Sequence, residues 1–326
     1  MYVESGPMGY SEKGSQGAAY FTAPNPPFGA VFTYYLRDAL KSQKRQRQER
    51  EAQARRQGEP VRYPNWDELQ REDRADGPAV ILTVSDEDGN VVRRITGGTS
   101  AGIHRVAWDL RYPAFSPARR GRGSSGPMVV PGMYSVQLAQ MVDGVFTPMG
   151  EPQSFQAKPL GLATLAASDK AALLAFQEKV GRLQRAVLGA NRVVDETLEQ
   201  LGLVESALLN TPAADASLFG QVRDLLHRLY DIDERLTGDV TQSSRAEFTA
   251  PGITQRVQRI VENFWSSSAP TTTNQQNYEI AGRAFQQVLE DLRVLVDVDM
   301  TELGERLEAI GAPWTPGRGV PNWSFE

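Results

Sequence analysis

Two hydrophobic periods divide the chain. Between Phe28 and Phe155 the apolar residues recur at every second position in short runs, and beyond Pro159 they recur at every third or fourth. In the first part, Phe28 to Leu36 is aromatic and β-branched and reads as a strand. Val80, Leu82 and Val84 alternate with Ile81, Thr83 and Ser85, so both faces of that strand start apolar. The cluster from Asp86 to Asn90 then turns the chain into Val91 to Ile95, and Asp88-Gly89 between two apolar runs predicts a hairpin. Farther on, His104, Val106, Trp108 and Leu110 share one face of a strand, opposite Arg105, Ala107, Asp109 and Arg111. A Gly/Ser/Arg-rich loop from Pro113 to Gly126 follows. Tyr134, Val136 and Leu138 then form another inward face, and Asp143-Gly144 leads into a last strand pair ending near Phe155. Short strands separated by turns, with no amphipathic helix between them, predict an antiparallel β-sandwich.

The second part has helical spacing. From an N-cap expected at Ser168, the stripe runs Leu173, Phe176, Val180, Leu183, Val187, Ala190, Val194, Leu201, Val204, Leu208, with a lapse at Thr197. A helix of ~40 residues spans about 60 Å at 1.5 Å per residue, so it needs partners along its length. Three further stripes supply them. Leu218 to Leu236 is one, and Ile253, Val257, Ile260 and Phe264 are a second. The third runs from Tyr278 to Leu295 and continues, with a phase shift, through Met300, Leu303, Leu307 and Ile310. The expected fold class is therefore α+β in two domains, an antiparallel sandwich followed by an antiparallel long-helix bundle. The expected boundaries are an extended arm at 1–27, the sandwich at 28–160 with a helical insertion at 37–77, the bundle at 161–311 and an extended tail at 312–326, whose Trp314 and Trp323 are expected to dock.

Within the insertion, a polar helix is expected from Arg37 to Gln57 and a short one from Trp66 to Arg74. After Leu40 the first has no apolar stripe, so no core holds it along its length. Seven basic residues, from Lys41 to Arg56, face only Glu49 and Glu51, a local excess of about five positive charges. Polyanion contact would fit that charge. A solvated helix fits better, because Arg45–Glu49, Arg47–Glu51 and Glu51–Arg55 stand at i,i+4 and no aromatic interleaves them. Arg45, Arg47 and Arg50, together with Trp314 in the tail, are the candidate surface-contact residues.

Composition narrows the chemistry. The 326 residues carry a net charge of −5, which argues against a nucleic-acid-coating protein. With no cysteine and two histidines, disulfides, thiolate zinc sites and multi-histidine metal sites are excluded, and no cofactor is expected. No apolar run approaches the ~18–20 residues of a membrane span, and Met1 to Tyr20 lacks the apolar core of a signal peptide. The turn at Asp86, Asp88 and Asn90 does not match a calcium loop, since Gly89 stands fourth and Gly97 occupies the twelfth position. His104 and His227 read as structural and surface residues. Trp108-Asp109 reads as a core tryptophan beside an outward carboxylate, and among the acids it alone approaches the aromatic-rich, loop-borne setting that sugar binding favours. No catalytic residue is assigned.

Several runs carry a family resemblance. FTAPNPPFGAVFTYYLRDAL (21–40), GNVVRRITGGTSAGIHRVAWDLRYP (89–113), GPMVVPGMYSVQL (126–138) and GEPQSFQAKPL (150–160) resemble the C-terminal region of large bacterial sortilin-like, BNR-repeat propeller proteins, commonly labelled glycosyl hydrolases. So do AFQEKVGRLQRAVLGANR (175–192), FWSSSAPTTTNQQNYEIA (264–281) and GAPWTPGRGVPNW (311–323). Within the first part, Gly102, His104, Trp108 and Asp109 followed by Pro131 to Tyr134 resemble an Ig-like (Fn3-like) domain of the flagellar hook-cap type. The resemblance implies that residues 1–27 continue from a propeller absent from this chain, that the propeller is a partner, and that the setting is periplasmic or extracellular. It implies a non-catalytic structural or interaction module with a protein or carbohydrate partner, or else an accessory part of a glycosidase whose main site lies elsewhere. No family catalytic motif falls on a residue of this chain.

Overall fold

The computed structural model describes residues 26–118, 125–142, 144–161, 165–264, 266–321 and 323–325. Most of the expected arm, the Asp143 side of the Asp143-Gly144 turn and the middle of the Arg-rich loop lie outside these residues. The chain is mixed α+β with antiparallel sheets and several helices. It divides into two compact units, Met1–Pro113 with Met128–Thr164, and Ala114–Pro127 with Leu165–Glu326.

In the first unit, strand β1 (Ala30–Leu36) is followed by helices α1 (Gln43–Gln57) and α2 (Trp66–Arg74). The strands β2 (Ala79–Asp86), β3 (Val91–Gly97), β4 (Gly102–Trp108) and β5 (Arg111–Pro113) come next. After β6 (Ser125–Met128), most of which is counted with the second unit, the chain forms β7 (Gly132–Val142), β8 (Val145–Pro148) and β9 (Gln153–Ala157). Strands β1 and β4 pair with each other, antiparallel, from Ala30↔Trp108 to Leu36↔Gly102. The larger sheet runs β3-β2-β7-β8, and β9 shares the β8 edge of the long β7: Gly132 to Val136 pair with β9, Ala139 to Val142 with β8.

Alternation puts Val80, Leu82 and Val84 of β2 into one core with Tyr34, Leu36, Val92, Trp108, Tyr134 and Val136. Ile81, on the other face of β2, is buried as well, as its apolar character requires. The Asp86–Asn90 hairpin forms as expected, with Asp86 Oδ1 accepting the Asn90 N–H at 2.8 Å and Gly89 at φ +83°. Trp108 sets the centre of this core, edge-on to Tyr134 at 5.7 Å and to Phe155 at 6.1 Å. Its strand stops there rather than at Leu110. Leu110 takes a left-handed φ of 57°, a turn that lets the buried indole Nε1 donate to the Arg111 carbonyl at 3.0 Å. Part of the expected Pro113–Gly126 loop is also strand, since β6 begins at Ser125.

The second unit contains α3 (Lys170–Leu209), α4 (Ala216–Thr237), the single turn α5 (Val240–Ser243), α6 (Ile253–Val261), α7 (Thr272–Arg293), a π-helical turn (Val294–Asp299) and α8 (Met300–Ala309). Helix α3 starts one residue later than expected. Asp169, not Ser168, is the cap, and its carboxylate accepts the Ala172 N–H at 2.8 Å, an ionised acceptor favoured by the helix dipole. The apolar stripes of α3, α4, α6, α7 and α8 meet in one core that includes Val187, Leu201, Leu229, Phe285 and Leu303.

The lapse at Thr197 is a buried hydroxyl satisfied within its own helix, donating to the Val193 carbonyl at 2.7 Å. The phase shift after Leu295 has a structural cause as well. The π-helical turn adds a residue to one turn, so the five-residue step from Leu295 to Met300 keeps Leu303 and Leu307 on the buried seam. Two glycines are steric necessities. A Cβ on Gly181 would lie 2.2 Å from the Phe115 ring, and one on Gly252 would lie 2.6 Å from the Gly238 backbone nitrogen.

The tail departs from expectation. Trp314 is 51% exposed and Trp323 81%, so neither indole is the anchor. Ala312 and Thr315 are buried instead, and Arg318 lies among them, donating to the Ala312 and Pro313 carbonyls at 3.1 and 2.9 Å and pairing with Glu308. A guanidinium has five donors to spend on the carbonyls of an irregular segment, whereas an indole has one.

Candidate functional site

The candidate arginines lie on α1, in the first unit. The helix begins at Gln43 rather than Arg37 because Ser42 caps it, its hydroxyl accepting the Arg45 N–H at 3.3 Å. The preceding residues belong to the sheet region, where the Leu40 N–H donates to the Thr99 carbonyl at 2.9 Å. Gly58, at φ +70°, ends the helix, and the Glu59 N–H returns to the Ala54 carbonyl. Asn65 and Glu68 then form a reciprocal capping box that starts α2 at Trp66, where the sequence places it.

Helix α2 folds back on α1, and the charges of the two helices interlock. The Arg47 guanidinium meets Glu72 with two parallel bonds, Nε to Oε1 and Nη2 to Oε2, both 2.7 Å, while Nη1 reaches Glu51 at 2.6 Å. Lys44 pairs with Asp73 at 2.7 Å and Lys41 with Glu49 at 2.5 Å. The hydrogen bond from Arg47 holds the Glu72 carboxyl below the usual carboxylate range, and the same pairing raises the affinity of Arg47 for its proton. Lys44 lowers Asp73, and Lys41 lowers Glu49. The expected i,i+4 pairs are present too, Arg45–Glu49 at 3.3 Å and Arg55–Glu51 at 3.8 Å.

This interlock corrects the expected charge. Counted over 37–77, eleven basic residues face nine acidic ones, so the excess falls to two, offset in part by the four acids of α2 and in part by Asp38, Glu59 and Asp76. Pairing with α2 half-buries Arg47, which makes it a structural tie rather than a free contact. Arg45 is exposed on the Glu49 side. Arg50 is exposed and has no ion pair among the described residues. Arg47 and Arg50 line a groove of about 500 Å³ between the helices, with Arg62, Arg71, Val61 and Pro64. Tyr63 and Trp66, each 80% exposed, supply aromatic surface that α1 itself lacks. The acids on α2 escaped the sequence reading because their partners lie 25 and 29 residues away. The Gly58–Pro60 break followed by the Asn65–Glu68 capping box was the available sign that α2 would fold back.

Trp314 belongs to the second unit, where its Nε1 donates to the Gly319 carbonyl at 3.0 Å. His104 stacks on Tyr34 at 5.0 Å and is bonded to the Ser100 carbonyl at 2.7 Å, while His227 is exposed on α4. Asp109 Oδ1 accepts the Arg111 N–H at 3.2 Å. Its neighbour Trp108 is sealed in the core, so the pair offers no aromatic platform to a sugar. Among the described residues no group of three or more His, Asp or Glu is placed to hold a metal ion, and no helix is long and apolar enough to cross a membrane. Comparison with protein-family models, curated proteins and solved structures finds no match to this chain.

Proposed function

We propose that the chain is a non-catalytic structural and interaction module of a larger exported propeller protein, an Ig-like β-sandwich followed by an antiparallel long-helix bundle. The family half of this reading rests on the sequence runs that resemble the region following a sortilin-like propeller. The interaction half rests on the α1–α2 hairpin. Ordering a backbone costs about 1–2 kcal/mol per residue, and neither helix of this hairpin buries a single side chain to offset it. A segment that is ordered by capping and ion pairs, and that displays Tyr63, Trp66 and Arg50 beside a groove, has the composition of a contact surface. Its occupant in this reading is the propeller of the same polypeptide.

The reading frame upstream of Met1 tests the first half. An in-frame propeller behind an export signal supports it, and a stop codon close to Met1 with no such frame removes it. With the propeller in hand, Trp66→Ala combined with Arg50→Glu is expected to weaken its association with this chain about a hundredfold, the loss of two central contacts. Unchanged affinity would remove the hairpin from the interface. The alternative, an accessory part of a glycosidase, draws on the label of the resembling family. It predicts aryl-glycoside cleavage by the joined protein that persists in Asp109→Asn, since the main site lies outside this chain. Cleavage by this chain alone that Asp109→Asn abolishes would overturn the non-catalytic reading.

A further inference from the structure

Strand β1 is paired on one side only. Its partner is β4, and among the described residues no hydrogen bond reaches its other edge. A free strand edge offers unpaired N–H and C=O groups to an incoming strand, and folds blunt such edges with charge, proline or a bulge. Other edges of the first unit are blunted in this way. Arg93 and Arg94 lie on β3, Arg105 lies on β4, and β8 is four residues long and ends at Pro148. Strand β1 (AVFTYYL) carries no charge and no proline, and its register with β4 runs without a bulge.

The strand is firmly seated on its inner side. Tyr34 and Leu36 are buried, the Tyr34 hydroxyl donates to the Gly98 carbonyl at 2.7 Å, and Phe32 meets Phe155 edge-on at 5.4 Å. Its outward side chains stand in solvent instead. Val31 is 46% exposed and Tyr35 65%, and Ile103, opposite Tyr35 on β4, is 73% exposed. A contiguous apolar surface of this kind marks an interaction site.

The residues of β1 select the strand that fits. Ala30 to Leu36 are centred on Thr33. A second, antiparallel β1 turned about an axis at Thr33 sets Val31 of one copy against Tyr35 of the other and Phe32 against Tyr34, with every residue of both strands paired. A register shifted by two keeps the faces but leaves two residues of each strand unpaired. Extended by the β1–β4 register, the outward side then holds three rows of side chains. Two are apolar, each running Ile103, Tyr35, Val31, Ala107 across the four strands. The row between them runs Arg105, Thr33, Thr33, Arg105. Its two arginines lie on the outermost strands, about 14 Å apart at ~4.8 Å per strand, beyond the ~10 Å screening length at 0.1 M salt.

We propose that β1 pairs with β1 of a second copy of this chain, joining two β1–β4 ribbons into one four-stranded antiparallel sheet about a two-fold axis at Thr33. Each copy supplies the same residues, so the contact is isologous and closes at two. Main-chain hydrogen bonds supply the attraction, and the Val31–Tyr35 pairs cover apolar surface that one copy leaves in water. One strand pairing is smaller than a standard interface of about 1,200–2,000 Å², so the dimer is a weak one, with an expected Kd of about 10–100 µM. The pairing is independent of the docking role of the hairpin, and either can fail alone.

The test is sedimentation velocity of the whole chain between about 1 and 500 µM, a range that brackets the expected Kd. The expected result is a reversible monomer–dimer equilibrium. Thr33→Lys sets two like charges face to face at the axis and should weaken the dimer about tenfold. Thr33→Glu should weaken it too, yet within one copy its carboxylate lies opposite Arg105, so the thermal midpoint is expected to hold or rise. Mixing the two variants should restore association, since opposite charges then meet at the axis. That rescue requires the Thr33 register and does not follow from a misfolded strand. A chain that stays monomeric at about 500 µM, association unchanged in Thr33→Lys, growth beyond two copies, or no rescue in the mixture would overturn the proposal.

Discussion

Helices α1 and α3 are both rich in charge on their outer faces, yet α1 buries no side chain and α3 buries eleven residues. The first is held to its neighbour by Arg47–Glu72 and Lys44–Asp73, the second by a seam of aliphatic side chains shared with α4, α6, α7 and α8. The contrast separates two ways of fixing a helix. An apolar seam fixes it by exclusion of water, a non-directional effect proportional to area and indifferent to pH. Ion pairs fix it by direction, with a bidentate fork setting register, but each pair contributes little at the surface and weakens with salt or acid. The hairpin is therefore the separable part of the first unit, and the seam is the part that the second unit cannot lose.

The largest test strikes the seam. Leu229→Ala removes a fully buried side chain of α4 and is expected to cost about 3 kcal/mol in urea unfolding, with amide exchange in α1 and α2 unaffected. Gly252→Ala should follow at about 2 kcal/mol, because the new Cβ meets backbone atoms of Gly238 and Leu236 that cannot swing aside. Asn65→Ala removes half of the capping box. It should destabilise α2 by about 1 kcal/mol, visible as faster exchange of its first-turn amides while the thermal midpoint of the helical unit stays in place.

The smallest effect sharpens the comparison most. Glu72, Asp73 and Glu49 are held below their ordinary carboxylate range, so the stability they add is whole above the unfolded value near pH ~4.3 and is lost as pH falls through the lowered folded values. Acid titration followed by exchange or by NMR should release the hairpin below about pH 4 while the α3–α8 core persists. Glu72→Gln should bring this release about at neutral pH, raising exchange in α2 several-fold. If the hairpin instead survives acid intact, apolar contacts and not ion pairs hold it.

Much of this was legible before the structure. The hairpin at Asp86–Asn90, the start of α2 at Trp66 and the seam residues of α4 are each set by local patterns, a turn dipeptide, a capping box and a 3–4 spacing. Leu110, Thr197 and the Leu295–Met300 step were not, for a common reason. Each breaks its local period to satisfy something elsewhere, respectively an indole N–H, a hydroxyl in a buried stripe and a seam that must stay in phase. The candidate site divides in the same way. The i,i+4 pairs on α1 follow from spacing alone, whereas the loss of Arg47 to Glu72 does not.

By itself, then, the sequence determined the class of each segment and the face it buries, because periodicity and turn chemistry act over a few neighbouring residues. The tertiary structure decided which charges cancel, which indoles stay in solvent and that Arg318, not a tryptophan, ties the tail to Ala312 and Pro313. Those outcomes depend on groups tens of residues apart meeting within hydrogen-bond reach, and no local pattern encodes that meeting.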